Sequence, residues 1–326
     1  MEKPRVFIPH RIAEKALELL GQHCVLDYRD VEEKLDEEEF LEGLQHADGL
    51  LVYSRHKITP DVLDKAPRLR VVSNIAVGYD NLDVNELTAR RIMATNTPDV
   101  LTETTADLTF ALLMATARRI AEADHFVKAG EWQEWLPSLM LGKDVHGAVI
   151  GIVGMGRIGE AVARRAKGFG MRILYHNRRP KPEVEQSLGA AYVSLDELLR
   201  ESDYVVVMTP LSPETAGFIG ERELGLMKRD AILINTSRGK VVDEQALIRA
   251  LAEQKIAGAG LDVFTIEPVE PNNPLLSMRN VVTLPHIGSA TRETREKMAL
   301  KAAHNMITGL AGEKPGNLLN PALFDK

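Results

Sequence analysis

Three glycines at the start of a helical pattern have the spacing of a dinucleotide-binding turn. Gly154, Gly156 and Gly159 form a GxGxxG arrangement within VIGIVGMGRIGEAVARRAKGFG (149–170). An apolar strand pattern precedes them, an amphipathic helical pattern follows, and Gly170 is placed to end that helix. In this context the glycines permit a tight turn, a close approach of backbone amides to a pyrophosphate, and close packing of helix on strand. A chance glycine turn is the alternative, and the flanking elements favour nucleotide binding.

The next predicted strand ends in YHNRRPKP (175–182), where folds of this type usually carry an acid that binds the adenosine ribose. Asn177 carries no charge, and Arg178 and Arg179 offer guanidinium groups to a phosphate. One interpretation is a solvated basic loop. The other, which the sequence favours, is a preference for NADP(H) as cofactor.

Polar side chains also stand near the ends of three later predicted strands. These segments are NTSRGKVVD (235–243), GLDVFTIEP (260–268) and LPHIGSAT (284–291). Ligands of open α/β sheets bind beyond the carboxyl ends of the strands, so Arg238, Glu267 and His286 could converge on one site. Each also has an ordinary explanation: a cap or ion pair for Arg238, a surface charge for Glu267, a structural role for His286. Sequence spacing alone leaves both interpretations open.

The elements that must position these residues alternate between short β-branched runs and longer helical stretches, which indicates parallel α/β architecture. Strands are first predicted at 5–9, 49–54, 69–75 and 92–96, with helices at 11–21, 36–46, 60–66 and 83–90. A long helix is predicted at 101–119. A second series of strands is predicted at 148–154, 172–177, 204–210, 231–237, 257–264 and 281–286, before a last helix at about 291–311. Two such series predict two domains, with a boundary near Pro98.

Composition narrows the functional classes. The chain has 326 residues, 44% of them hydrophobic, which suits a soluble globular protein of two domains. A net charge of -7 argues against nucleic acid or an anionic membrane as a general partner, and no metal is expected. The single Cys24 suits a reducing compartment. No apolar run has membrane-spanning length, and MEKPRVFIPH lacks the apolar core of a signal peptide, so a cytoplasmic location is expected.

With these motifs in order along nearly its full length, the sequence resembles the D-isomer-specific 2-hydroxyacid dehydrogenase family. Within it the chain is most similar to glyoxylate/hydroxypyruvate reductases, at AVGYDNLD (76–83), LTETTADLTFALLMATARR (101–119) and YHNRR (175–179). The resemblance implies an α/β fold of two Rossmann-like domains with parallel sheets and an active site in the cleft between them. It also implies a discontinuous substrate domain at 1–98 and 289–326 and a dinucleotide-binding domain at 99–288.

The resemblance further implies the catalytic residues. Arg238 would bind the substrate carboxylate and polarise the C2 carbonyl, His286 would donate the proton to the developing alkoxide, and Glu267 would pair with His286. A carboxylate beside an imidazole favours the imidazolium, and a fixed guanidinium stabilises charge as hydride arrives at C2. Val77 and Gly78 would present backbone amides to the substrate carboxylate, although Gly78 could equally serve a tight turn.

Cofactor contacts implied by the resemblance are the following turn and strand-end residues: Thr105, Gly154, Gly156, Arg157, Ile158, Gly159, Asn177, Arg178, Arg179, Thr209, Pro210, Thr215, Thr236, Ser237, Arg238, Asp262, His286 and Gly288. Asp262 would lie near the nicotinamide carboxamide, with a simple strand-end turn as the alternative. Segment 130–142 would lie near the contact of a homodimer and reach a neighbouring active site, so Trp135 is a candidate substrate contact. Trp132 and Trp135 could equally be core or interface anchors.

The function implied is reduction of glyoxylate and hydroxypyruvate to glycolate and D-glycerate, with NADPH preferred and NADH open as a second cofactor. A 2-ketogluconate reductase is the nearest alternative, because it needs the same trio and a roomier pocket shaped by loops near 53–56, 76–79 and 135–141. A nucleotide-sensing protein similar to transcriptional corepressors could retain the trio, but disordered partner-binding tails are not evident.

Three other activities of the family fit less well. Formate dehydrogenases carry Gln beside the catalytic His, where this chain has Glu267, and phosphite dehydrogenases carry Lys at the position of Val77. Phosphoglycerate dehydrogenases of the longer kind append regulatory domains, and none is expected after Lys326.

Overall fold

The computed structural model of the protein describes residues 2–325. The chain forms two compact units. One comprises the residues up to Leu101 and those from Ser289 onward, and the other comprises Thr102–Gly288. All strand pairings in the sheets of both units are parallel, so the predicted parallel α/β architecture is confirmed.

The first unit contains a sheet that has five strands among the described residues. Its strands are β1 (Arg5–Ile8), β2 (Val25–Tyr28), β3 (Gly49–Val52), β4 (Val71–Asn74) and β5 (Met93–Thr95). The helices between them are α1 (Glu14–His23), α2 (Glu37–Leu44), α3 (Pro60–Asp64) and α4 (Val84–Ala89). The spatial order β2-β1-β3-β4-β5 is a doubly wound arrangement. Strand β2 was not predicted, because it is an edge strand that contains Asp27 and lacks a buried apolar run.

The second unit contains a sheet with seven strands among the described residues, in the order β12-β11-β10-β9-β6-β7-β8. The strands are β6 (Val149–Val153), β7 (Arg172–His176), β8 (Ala191–Tyr192), β9 (Tyr204–Val207), β10 (Ile232–Asn235), β11 (Gly258–Leu261) and β12 (Val281–Thr283). The helices are α5 (Thr102–Ala117), α6 (Ile120–Lys128), α7 (Arg157–Gly168), α8 (Pro182–Leu188), α9 (Leu195–Glu201), α10 (Glu221–Leu226) and α11 (Glu244–Ala252). Strand order reverses between β6 and β9, and such a reversal opens a crevice at the carboxyl ends of the strands.

The last helix, α12 (Arg292–Leu310), belongs to the first unit and packs on its sheet. The hydroxyl of Ser73 on β4 donates to the carbonyl of Ala302, 2.9 Å away. A side chain at Gly309 would come within 2.9 Å of Val71, so the missing side chain lets the helix approach β4 closely. The chain therefore returns to its first sheet after completing the second.

Several predicted strands extend past the observed ends. The sheet portions of 204–210, 257–264 and 281–286 end at Val207, Leu261 and Thr283. The apolar pattern continues beyond them because the following loops are themselves buried, as Val263 and Phe264 show. The ends of β9, β11 and β12 are where the residues with candidate functions begin.

The long helix predicted at 101–119 is confirmed as α5, and a separate helix, α6, follows it. Helix α5 ends at Ala117, and Arg119 has a left-handed backbone with a φ of 53° before α6 begins. Helix α5 packs against the sheet at β11, where a side chain at Gly260 would lie 2.7 Å from the Thr116 hydroxyl and 2.8 Å from Leu112. Within residues 2–325 no helix combines the length and apolar character needed to cross a membrane.

Candidate active site

The glycine turn between β6 and α7 has the geometry that a pyrophosphate requires. Gly154 has a φ of 103°, and a side chain there would come within 2.9 Å of the backbone of Met208 and Thr209. A side chain at Gly159 would meet the carbonyl oxygen of Gly154 at 2.5 Å, so glycine is needed for the helix to approach the strand. Gly156, by contrast, borders open space at the N-terminus of α7. These residues fit the phosphates of a dinucleotide.

The remaining predicted residues of this helix start lie at its first two positions. Arg157 and Ile158 open α7, and Ile158 packs against the buried core beneath the turn. The α7 helix ends at Gly168, and Gly170 adopts a left-handed φ of 65° just after it. The predicted stop at Gly170 is therefore confirmed as a feature of the helix end.

Asn177, at the end of β7, binds the glycine turn. Its side-chain oxygen accepts from the amide of Met155 at 2.7 Å, and its side-chain nitrogen donates to the Met155 carbonyl at 3.4 Å. Arg178 and Arg179 follow and are exposed. A hydrogen bond from Ser212, together with the positive charge of Arg178, lowers the pKa of Glu214, which places Arg178 near the loop after β9. The two arginines thus directly follow the residue that contacts the glycine turn.

The loop after β9 brings three predicted cofactor residues together. The Thr209 hydroxyl donates to the carbonyl of Val153 at 3.1 Å, immediately before the glycine turn. The Thr215 hydroxyl donates to the carbonyl of Pro210 at 2.7 Å, and it accepts from the amide of Ser212 at 2.8 Å. These bonds fold the loop back on itself beside Gly154.

The turn after β10 carries Thr236, Ser237 and Arg238. Buried Asn235 fixes it: its side-chain oxygen accepts from the Ser237 amide at 3.1 Å and its side-chain nitrogen donates to the Arg238 carbonyl at 3.0 Å. The Arg238 guanidinium donates to the Ser237 carbonyl at 2.8 Å. The Thr236 hydroxyl lies 2.7 Å from that of Thr109 on α5, which in turn donates to the carbonyl of Thr105.

Asp262, at the end of β11, holds the turn that contains His286. Its two carboxylate oxygens accept from the amides of Ile287 and Gly288, both at 2.8 Å. Burial raises the pKa of Asp262 in spite of these amides and the charge of His286. A side chain at Gly288 would lie 3.3 Å from Asp262 and 3.4 Å from Thr105, so the contact is tight. His286 itself has a φ of 56°, a left-handed conformation uncommon for a residue with a side chain.

His286 and Glu267 form a direct pair. The Nδ1 atom of His286 lies 2.7 Å from a carboxylate oxygen of Glu267, and the other Glu267 oxygen accepts from the amide of Phe264 at 3.0 Å. Burial raises the pKa of Glu267, but the bond to His286, the Phe264 amide and the charge of Arg238 together outweigh it and hold the pKa below its ordinary value. Arg238, Glu267 and His286 therefore come together at the carboxyl ends of β10, β11 and β12. An ionised carboxylate, an imidazole and a guanidinium in one place can bind an anion and transfer a proton.

The predicted substrate loop of the first unit is also fixed by side chains. The carbonyl of Gly78 accepts from Asn74 at 2.9 Å, and the carbonyl of Val77 accepts from Asn96 at 2.8 Å. Trp135 lies in a segment without helix or strand between α6 and β6, with 75% of its surface exposed, and Trp132 is 55% exposed. The interpretation of these tryptophans as core anchors is therefore wrong, because the fold of one chain leaves both rings in solvent.

A model of the D-isomer specific 2-hydroxyacid dehydrogenase NAD binding domain matches residues 110–288, which is more than half of the chain. The chain belongs to the D-isomer-specific 2-hydroxyacid dehydrogenase family. It is therefore an NAD(P)-dependent oxidoreductase, as predicted, rather than a nucleotide sensor without enzymatic activity.

Relatives of this dehydrogenase cover nearly its whole length. It is 53% identical over 319 residues to a glyoxylate reductase of Korarchaeum cryptofilum, a match that covers 98% of this chain and 96% of the relative. A solved structure from Thermus thermophilus is 44% identical with a TM-score of 0.90, covering 97% of this chain and 99% of the other. The NADPH-dependent glyoxylate/hydroxypyruvate reductase of Sinorhizobium meliloti, solved with NADP and malonate, is 33% identical with a TM-score of 0.86, covering 98% and 97%.

The sequence did not indicate two residues of this dehydrogenase that fix the turns carrying Arg238 and Glu267. Asn235 fixes the Arg238 turn, and Glu244, the first residue of α11, accepts from the Thr265 amide at 2.9 Å in the loop that carries Glu267. An asparagine at a strand end before Thr and Ser is a signal for such a turn. No pattern in the sequence indicated Glu244, because its partner lies in a different loop.

Proposed function

We propose that this dehydrogenase reduces glyoxylate and hydroxypyruvate to glycolate and D-glycerate and prefers NADPH. The observation that carries the proposal is the 2.7 Å contact between Nδ1 of His286 and the carboxylate of Glu267. The positive charge of Arg238 also lowers the pKa of that carboxyl group. The glyoxylate reductase of Korarchaeum cryptofilum, at 53% identity, supports the choice of substrate.

The proton donor is His286. Because Nδ1 faces Glu267, Nε2 is the ring nitrogen that delivers the proton to the oxygen on C2. The carboxylate of Glu267 stabilises the imidazolium before the transfer and orients the ring. A donor held in this way is worth about 10²–10⁴-fold in rate.

Arg238 binds the carboxylate of the 2-oxo acid and stabilises the negative charge that grows on the C2 oxygen. The Asn235 bonds fix its backbone, so the guanidinium needs little reorganisation during the reaction. Backbone amides of Val77 and Gly78 are proposed as further ligands of the substrate carboxylate, and Trp135 as a further substrate contact.

A nicotinamide dinucleotide, when bound, supplies the hydride that reduces C2. Gly154, Gly156 and Gly159 hold its pyrophosphate with the N-terminus of α7. The proposed contacts along the rest of the cofactor are those predicted from the sequence: Thr105, Arg157, Ile158, Asn177, Thr209, Pro210, Thr215, Thr236, Ser237, Arg238, Asp262, His286 and Gly288. The bonds of Asp262 to the amides of Ile287 and Gly288 favour an indirect role for it, through the turn that carries His286.

The preference for NADPH rests on Arg178 and Arg179. Both are exposed after β7, and Asn177, which precedes them, carries no charge that would repel a 2′-phosphate. The relative from Sinorhizobium meliloti is NADPH-dependent by name. Replacing both arginines by alanine is expected to abolish the preference for NADPH over NADH in kcat/KM, and a variant that keeps the preference would refute this part of the proposal.

We also propose a homodimer. Four large apolar side chains, Trp132, Trp135, Leu136 and Leu141, are exposed in one segment, which is typical of an interface. Lys143 ties the end of that segment to the unit, with its backbone amide on the Ala117 carbonyl and its ammonium on Asp230. Light scattering is expected to give twice the mass of one chain, and the mass of a single chain would contradict the dimer.

The test of the function is a substrate panel with purified protein. Turnover is measured as the loss of reduced-nicotinamide absorbance, with NADPH in excess. Among the 2-oxo acids, glyoxylate and hydroxypyruvate are expected to give the highest kcat/KM. A higher kcat/KM for 2-keto-D-gluconate would favour the alternative 2-ketogluconate reductase. No loss of absorbance with any 2-oxo acid and either cofactor would overturn the proposal.

A further inference from the structure

We infer that Tyr192 is a positioning residue for the recognition of NADPH, because its hydroxyl fixes the loop that presents Arg178 and Arg179. The inference rests on the proposed preference for NADPH. It adds a residue that carries no charge, lies on a different strand, and would not be found from the cofactor-binding motifs.

Tyr192 lies at the end of the edge strand β8, opposite Tyr175 on β7. Its hydroxyl donates to the backbone carbonyl of Asn177 at 3.1 Å. The ring packs against Tyr175 with centroids 5.5 Å apart and lies nearly parallel to the ring of His176. With 39% of its surface exposed, Tyr192 is not a core residue whose loss would empty the interior. Its defined contact is the bond to the carbonyl that immediately precedes Arg178.

The other end of the arginine loop is fixed as well. The backbone amide of Lys181 donates to the hydroxyl of Tyr175 at 2.6 Å, and that hydroxyl donates to Glu185 at 2.7 Å. The Lys181 ammonium forms an ion pair with Glu160 on α7. Residues 177 and 181 are therefore both held by tyrosine hydroxyls, and the two arginines stand between these fixed points.

A loop fixed at both ends makes the arginines selective. A guanidinium that is already positioned loses less conformational freedom when it binds a phosphate, so affinity rises without a new contact. Only NADPH carries the 2′-phosphate. Loosening the loop should therefore weaken the binding of NADPH. The binding of NADH should not change, because NADH does not use these guanidinium groups. A residue that merely supported the edge strand would affect both cofactors equally.

The test compares Tyr192→Phe with Tyr204→Phe as a matched control. Tyr204, on β9 of the same sheet, also donates its hydroxyl to a backbone carbonyl, that of Asp144 at 2.8 Å, but at the amino end of the strand. Calorimetry would measure the binding of adenosine 2′,5′-bisphosphate and of adenosine 5′-monophosphate, which report on the 2′-phosphate without requiring a 2-oxo acid. Steady-state kinetics with glyoxylate would then give KM and kcat for NADPH and for NADH.

Loss of the Tyr192 hydrogen bond is expected to weaken binding of the bisphosphate roughly three- to tenfold, which is the effect of one hydrogen bond. The KM for NADPH should rise by a similar factor. Binding of the monophosphate, KM for NADH and kcat should stay within about twofold. Tyr175→Phe removes the hydroxyl at the other end of the loop, and it is also expected to weaken binding of the bisphosphate. The Tyr204→Phe control should leave the ratio between the two nucleotides unchanged.

Equal losses for both nucleotides, or no change in Tyr192→Phe, would overturn the inference. The Arg178→Ala, Arg179→Ala variant separates this failure from failure of the proposed function. One outcome would contradict only the role of Tyr192: wild-type protein prefers the bisphosphate, the arginine variant loses that preference, and Tyr192→Phe retains it. If wild-type protein shows no preference, the proposed cofactor and the inference fall together.

Discussion

Glu267 is the residue whose charge state governs the candidate proton donor. Burial alone would raise its pKa, yet His286, the Phe264 amide and Arg238 hold the pKa below its ordinary value. Glu267 is therefore a carboxylate at neutral and at mildly acidic pH. An ionised Glu267 gives Nδ1 of His286 a negatively charged partner 2.7 Å away, which orients the ring for proton transfer.

A Glu267→Gln variant should need a lower pH for reduction. The amide can still contact His286 but no longer offers a negative charge, so the imidazolium is less stable. We expect the alkaline limb of the kcat/KM profile to move to lower pH. Glu270→Gln, an exposed position in the same loop, is the control. A Glu267→Gln profile that coincides with that of the wild type would show that the charge of Glu267 is irrelevant.

At the scale of elements, the turns after the strands of the second unit are held by residues on neighbouring elements. Glu244 at the start of α11 accepts from the Thr265 amide and from the side chain of Asn273, both at 2.9 Å. Gly239 lies against the Phe264 backbone, where a side chain would clash. The loop that carries Glu267 is thus fixed on two sides by the segment that follows Arg238.

Removing the Glu244 carboxylate should therefore impair catalysis without affecting the cofactor. In Glu244→Ala the Thr265 amide loses its acceptor, a loss of about 1–3 kcal/mol that allows the loop to move. We expect kcat to fall about tenfold, KM for NADPH to stay constant, and the alkaline limb to shift as in Glu267→Gln. Glu244→Gln should restore part of kcat because its oxygen can still accept. An unchanged pH profile would reduce Glu244 to a purely structural role.

The order of elements could be predicted from the sequence because parallel strands and amphipathic helices leave strong patterns. The edge strands β2 and β8 could not, since Asp27 interrupts the first and the second has only two residues, Ala191 and Tyr192. The predicted ends of β9 and β11 lie several residues beyond the observed ends, because the loops after these strands are buried. The trio of Arg238, Glu267 and His286 was visible as motifs, whereas Asn235 and Glu244 act through contacts that sequence distance conceals.

At the scale of the whole molecule, the first unit contains two buried histidines that should make the protein sensitive to acid. Burial, with the charge of Arg55, lowers the pKa of His10 to about 3 and that of His56 to about 4. The His56 ring stacks on Phe40 with centroids 4.8 Å apart. Among the described residues, neither of its ring nitrogens has a hydrogen-bond partner. Both histidines are therefore neutral in the folded state at neutral pH.

Stability should fall as pH decreases below the ordinary histidine pKa. An unfolded chain binds protons at these histidines from about pH 6.5 downward, whereas the folded chain resists protonation until about pH 4 or below. At about pH 5 His56 alone should lower the free energy of unfolding by about 2 kcal/mol relative to neutral pH. Urea unfolding at the two pH values measures this, and His56→Leu should reduce the difference, while exposed His46→Gln should not. A His56→Leu protein with the wild-type pH dependence would contradict the assignment.

The central claim is that His286 is the proton donor of a reductase, and one comparison tests it most directly. Wild-type protein and His286→Ala would be given NADPH and glyoxylate, with turnover followed by loss of NADPH absorbance and NADPH affinity measured separately by fluorescence. The predicted result is a fall in kcat of about 10²–10⁴-fold with little change in NADPH affinity. A His286→Ala variant that retains most of its turnover would contradict the claim.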